Sequence, residues 1–216
     1  MKEFLRRVGY RKTFKLNSKT KIMIQFYNPT KLEEIAEINN ILLLDSCAIF
    51  NHYSKQKGNC KDESYNQGNF IIESKGKYPM FITEQIRKEI LDGTRIRKGK
   101  RKSKKDRKLK EIKKRNLKIL NLLGVLELTN EELKNYERYL RICEKYSQNL
   151  SRQDLDLLVQ GIIVAETRNS CGIISNDLGI YHSLSNIIGK GNSIKIKKEN
   201  IHFYIRGEYI FNKMEL

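Results

Sequence analysis

The polar positions of this chain are broken by short, unbroken apolar runs, each followed by a helical period. Ile41-Leu42-Leu43-Leu44 is four apolar residues with no alternation, the signature of a strand buried on both faces. Tyr78–Ile82 and Gly124–Leu128 read as second and third strands, Gly172–Ile174 as a fourth and Ser193–Ile196 as a fifth. Between them the spacing turns helical. Thr30 and Glu33 stand at capping-box separation before a helix over 31–38. A short helix is predicted from Ser46, and Ile86 and Ile90 set a helix over 83–91 that Asp92-Gly93 ends. Leu133, Tyr136, Leu140 and Cys143 form the apolar stripe of a helix over 131–146. Ser151–Thr167 is apolar after its first turn and so predicted to be buried, and Leu178–Ile188 is a further helix. Strands alternating with helices predict an α/β chain with an open parallel sheet covered on both faces.

Four acids stand where these apolar runs stop: Asp45, Glu89, Asp154 and Asp177. Ligands of open parallel sheets bind outside the carboxyl ends of the strands, where Asp45 and Asp177 would lie. Carboxylates gathered there would repel one another unless a divalent cation neutralised them. Oxygen ligands without His or Cys suit Mg²⁺ or Mn²⁺. Each acid also has a structural reading. Asp45 and Asp177 stand where helix caps belong, and Asp154 is three residues after Ser151, at capping-box spacing. Glu89 lies on a charged helix face, and Asp156 competes with Asp154 or adds to it.

Charge sharpens the picture. The 216 residues carry a formal net charge of +18, which favours a polyanionic partner. Residues 95–118 hold fifteen Lys or Arg against Asp106 and Glu111, a net +13. Residues 1–30 interleave basic side chains with Phe4, Tyr10, Phe14, Phe26 and Tyr27, and Ile22–Tyr27 reads as a short strand. Such a mixture suits stacked bases, or a hydrophobic seam against the sheet. Cys47, Cys60, Cys143 and Cys171 form no CxxC pair, and the three histidines are scattered, so free thiols in a reducing cytoplasm are expected and no zinc site. No apolar run reaches the roughly 20 residues of a membrane span, and no apolar signal core opens the chain. Its acid-poor start is also compatible with an organelle presequence. No Gly-rich phosphate loop follows the first strand, which argues against a nucleotide-type enzyme on a similar sheet.

The segments ILLLDS (41–46), ITEQIRKEI (82–90), LSRQDLDLL (150–158) and IISND (173–177) together resemble the PIN-domain ribonucleases. The resemblance spans 41 to about 197. It implies a three-layer α/β/α fold around a parallel sheet of four to five strands, here with a basic insertion at 94–118. An N-terminal extension with lead-in helix (1–40) would precede the nuclease domain (41–197), and a tail (198–216) would follow it. Carried over by position, Asp45, Glu89, Asp154 and Asp177 become catalytic metal-binding acids, with Asp156 as an additional candidate. Ser46 and Asn176 would orient the carboxylates. Ser175 stands where Thr is usual, and Gly161 where Ala is frequent, at a close helix packing. The implied activity is Mg²⁺- or Mn²⁺-dependent endoribonucleolysis, in processing of structured RNA such as rRNA or tRNA precursors. Arg95, Arg97, Lys98, Lys100, Arg101, Lys102, Lys104, Lys105, Arg107 and Lys108 would hold the RNA. The alternatives are a catalytically silent RNA-binding component of a ribonucleoprotein and a toxin-type ribonuclease.

Overall fold

The computed structural model describes residues 29–50, 69–93, 114–147, 150–190, 196–206 and 211–216. The expected strand at Ile22–Tyr27 and the basic residues Arg95 to Lys108 lie outside the described residues. So does most of the expected strand Ser193–Ile196, whose last residue, Ile196, is not in a strand.

The strands are β1 (Pro29–Thr30), β2 (Ile41–Leu44), β3 (Met80–Ile82), β4 (Gly124–Val125), β5 (Cys171–Ile174), β6 (Ile201–Arg206) and β7 (Phe211–Met214). The helices are α1 (Leu32–Ile38), α2 (Ser46–Phe50), α3 (Asn69–Ser74), α4 (Glu84–Gly93), α5 (described over 114–120), α6 (Asn130–Tyr146), α7 (Arg152–Thr167) and α8 (Leu178–Lys190). All seven strands join one mixed sheet in the order β1-β7-β6-β5-β2-β3-β4. From β4 through β6 every pair is parallel, and the β6–β7 and β7–β1 pairs are antiparallel.

The chain's last segment therefore departs from expectation. Residues 198–216 are not a tail: β6 is the fifth parallel strand, registered Ile173↔Phe203 against β5, and β7 closes onto it. The expectation failed because IHFYIR mixes apolar side chains with His202 and Arg206, which read as surface residues. Both are buried here, with polar partners far away in sequence. The lead-in segment also belongs to the sheet, since Thr30 pairs with Phe211. That pairing moves the N-cap of α1 from Thr30 to Lys31, whose amide donates to Glu34.

Every residue of β2 and β5 is buried, as befits strands covered on both faces. Fully burying a Leu or Ile side chain is worth about 1.5–3 kcal/mol before entropic costs. Leu43 and Ile173 face α7. A Cβ built on Gly161 would stand 2.7 Å from Ile173 Cδ1, so the glycine lets that helix approach closely. The Phe203 ring meets Tyr181 of α8 on the same face, with centroids 5.6 Å apart. The opposite face carries Tyr204 and His202, which meet Asn39 at the end of α1, and Arg206, which meets α2 and α3. Helices on both faces make three layers.

The stripe of α6 keeps the expected Tyr136, Leu140 and Cys143 against the core and turns only at its first residue, where Glu132 replaces Leu133. Glu132, Tyr139 and Cys143 are buried, and Leu133 is 52% exposed. Glu132 explains the turn: its carboxylate takes two hydrogen bonds from Arg168 (2.8 and 2.7 Å) and one from Thr167 (2.6 Å) while closing the Thr129 cap. Arg168 in particular holds it down to about 2. No described helix is long and apolar enough to cross a membrane.

Candidate metal site at the switch point of the sheet

β2 hands the chain to β3 on one side, whereas β5, its neighbour, hands it to β6 on the other. Such a reversal leaves a crevice at the carboxyl ends of the two strands, the usual ligand position of open α/β sheets. Asp45 leaves β2 at this point, and Ser175-Asn176-Asp177 leave β5. A helix that returns the chain to a parallel strand runs opposite to that strand. The first turn of α7, with Asp154, therefore comes to the same end.

Asp45 is 4% exposed. Its backbone carbonyl accepts the amides of Ala48 and Ile49, so it does start α2. Its side chain does something else. Oδ2 accepts the Ser175 hydroxyl and the Cys47 thiol, both at 2.7 Å. Burial, reinforced by the Asp45 charge, pushes the Cys47 thiol well above its ordinary range, which keeps it protonated and donating. Ser175 Oγ also accepts the Asp177 amide at 3.0 Å, and Cys47 Sγ accepts the Asn176 amide at 3.1 Å.

Asp177 is exposed and caps α8, its Oδ1 accepting the Gly179 amide at 2.7 Å. Asp154 is half-buried and shares a reciprocal cap with Ser151, both bonds being 3.2 Å. Desolvation raises its carboxyl above the ordinary range, and the charges of Asp45 and Asp177 raise it further against the opposing Ser151 bonds. Both charges are felt at Asp154, and a Cβ on Gly179 would sit 3.2 Å from Leu150, which leads into α7.

Comparison with family models, curated proteins and solved structures returned no match.

The remaining expected site residues stand differently. Glu89 is exposed on α4, beside the buried Ile86 and Ile90. Asp156 faces the α6–α7 seam: its Oδ1 takes bonds from Tyr136 (2.6 Å) and Gln160 (3.0 Å), and its buried Oδ2 has no partner. Asp156 thus belongs to the helix packing and not to the crevice. Ser46 is buried at the start of α2, but Ser175 and Cys47 are the side chains that bond Asp45. Asn176 spends its carbonyl oxygen on the Arg206 amide at 3.0 Å. The roles of Ser175 and Cys47 had one signal in the sequence, their position beside strand-ending acids. Nothing local marked Arg206.

Among the described residues no three His, Cys, Asp or Glu side chains are gathered tightly enough to form a ready metal group. What this end of the sheet offers is a buried Asp45 and a half-buried Asp154 whose carboxyl is raised by burial and then by the charges of Asp45 and Asp177. A divalent cation relieves that repulsion. Carboxylate oxygens are the donor type that suits Mg²⁺ or Mn²⁺.

Proposed function

We propose that this chain is a PIN-like, divalent-metal-dependent endoribonuclease. The reading is carried by the placement of Asp45 and Asp177 at the carboxyl ends of adjacent parallel strands, with Asp154 raised by burial and, further, by both of their charges. The strand order from β4 to β6 and the three-layer covering support a PIN-like arrangement of those acids. Mg²⁺ or Mn²⁺ would be held by these three carboxylates, with Glu89 as a further ligand if α4 brings it in, and would supply water activation and charge neutralisation at phosphorus.

The chain's own residues do the rest. Ser175 fixes the Asp45 carboxylate and the Asp177 backbone in one stroke. The Ser151 cap holds Asp154 in the first turn of α7, where the helix dipole favours its charged form. The basic stretch 95–118 supplies phosphate contacts, and its last residues, 114–118, lie in the described part of α5, which packs into the fold through Ile119. Binding through it would weaken steeply with salt. Processing of structured RNA, such as rRNA or tRNA precursors, suits a basic arm of this length.

One observation favours a second reading. The acids are not drawn into a ready metal group, and Asp154 and Asp177 each serve a helix cap. A silent RNA-binding component of a ribonucleoprotein would retain those caps without turnover. Incubation of RNA with Mn²⁺, with EDTA and with Asp45→Asn separates the two. Cleavage lost with both treatments supports the nuclease; RNA binding without cleavage under every condition supports the silent module.

A further inference from the structure

Arg206 ends β6 and is 5% exposed. Its guanidinium Nη1 donates to the carbonyl of Ala48 and, at 3.3 Å, to that of Ile49. Those are the closing carbonyls of α2, and a helix end leaves such groups unpaired unless something reaches them. The positive charge also suits that end of the helix dipole. The guanidinium lies 4.5 Å from the centroid of the Phe70 ring of α3, and Phe70 in turn meets Phe211 edge-on at 5.5 Å. Meanwhile the Arg206 backbone amide donates to Asn176 Oδ1.

Burial, with the Arg115 charge of α5 adding, pulls the Arg206 guanidinium down to about 10, so it stays charged at neutral pH. Burying a charge here is costly, and an apolar side chain would fill the space more cheaply. What the arginine supplies is geometry. A helix of five residues has no stability of its own and takes its position from its anchors. At its start α2 carries Asp45; at its end it is gripped by Arg206. The same residue grips Asn176, next to Asp177.

We infer that Arg206 is a positioning residue that fixes α2 and the β5 turn relative to each other, and so sets the spacing of Asp45 and Asp177. The structural part stands on the hydrogen bonds alone; its consequence for catalysis rests on the nuclease reading. The test is amide hydrogen exchange by NMR on Arg206→Lys and Arg206→Met, together with the Mn²⁺ concentration for half-maximal RNA cleavage. Lysine keeps the charge but loses the planar guanidinium that reaches the two carbonyls through Nη1 while lying 4.5 Å from the Phe70 ring centroid. In both variants Ala48 and Ile49 amides should exchange about tenfold faster or more, with Leu43 and Ile173 unchanged. The Mn²⁺ midpoint should rise about tenfold, and less for lysine than for methionine. Wild-type protection at Ala48 and Ile49, or equal acceleration across the whole sheet, overturns the inference. If Arg206→Met does not fold, Arg206→Lys alone decides it. If the wild-type protein cleaves no RNA, the nuclease reading fails separately, and the exchange data still decide the clamp.

Discussion

The Ser175 hydroxyl donates to the Asp45 carboxylate across 2.7 Å, joining the ends of two adjacent parallel strands by a single side chain. It also receives the Asp177 amide, so the second acid's backbone is set by the group that sets the first acid's carboxylate. Ser175→Ala removes both bonds and should cost about 1–2 kcal/mol of stability. On the nuclease reading it should also lower Mn²⁺-dependent cleavage about 10–100-fold. Ser175→Thr retains the hydroxyl and should recover most of both. Thermal unfolding and single-turnover cleavage of the three proteins measure it.

Asp177 has a structural duty and a proposed catalytic one, and they separate by substitution. Asparagine caps helices as well as aspartate does, so Asp177→Asn should unfold at nearly the wild-type temperature. Asp177→Ala loses the bond to Gly179 and should cost about 1 kcal/mol. Cleavage should fall by a similar, large factor in both. A cleavage rate that follows stability, with asparagine near wild type, would leave Asp177 as a cap and nothing more.

Asp154 should behave as a site that spends stability on charge. Its folded carboxyl is raised above the ordinary value, so the folded state binds its proton more tightly than the unfolded one. Stability is then lost as pH rises through the carboxyl range, and the ionised form at neutral pH is the strained one. Asp154→Asn keeps an oxygen for the Ser151 amide and removes the repulsion. Its melting temperature at pH 7 should rise, and Mn²⁺ should stabilise the wild type more than the variant. A lower melting temperature for the variant would remove the repulsion argument.

His202 gives the fold an acid-labile point. Its Nδ1 lies 2.8 Å from Asn39 Oδ1, whose amide nitrogen is committed as a donor to Ile35 O and to Tyr204. The imidazole therefore donates through Nδ1. Burial, and then the Lys213 charge, pull it down to about 4 from 6.5. The unfolded chain takes up the proton first as pH falls, so this contribution is whole above about 6.5 and drains away between there and about 4. Urea midpoints at pH 7 and pH 5 should differ in the wild type, and the difference should shrink in His202→Gln.

The same histidine marks where sequence patterning stopped being informative. Ile41–Leu44 and Gly172–Ile174 announced themselves as strands because two-sided burial leaves no polar positions, and both are where the pattern put them. In β6 the polar side chains are reconciled with burial by groups more than 150 residues away: Asn39 for His202, and α2 carbonyls for Arg206. Local periodicity carries no trace of such partners, so a central strand read as a tail. The Ser151–Asp154 cap was legible because it acts within one turn, whereas the Thr30–Glu33 box gave way to Lys31 with Glu34 once Thr30 joined the sheet. The crevice was legible through the acids that end apolar runs: Asp45 and Asp177 stand at the ends of adjacent parallel strands, and both charges raise the Asp154 carboxyl. Glu89 was placed by its distance past the second strand and by the resemblance, and it stands exposed on α4.

Mn²⁺ is paramagnetic, and its approach broadens nearby resonances, which tests the shared carboxylate site without any RNA. Titrated into the wild-type protein, it should broaden the signals of Asp45, Asp154 and Asp177 first and together, and leave them sharp in Asp45→Asn at the same concentration. Broadening that spares these three residues, or that persists unchanged in Asp45→Asn, would contradict a common cation site at the end of β2 and β5.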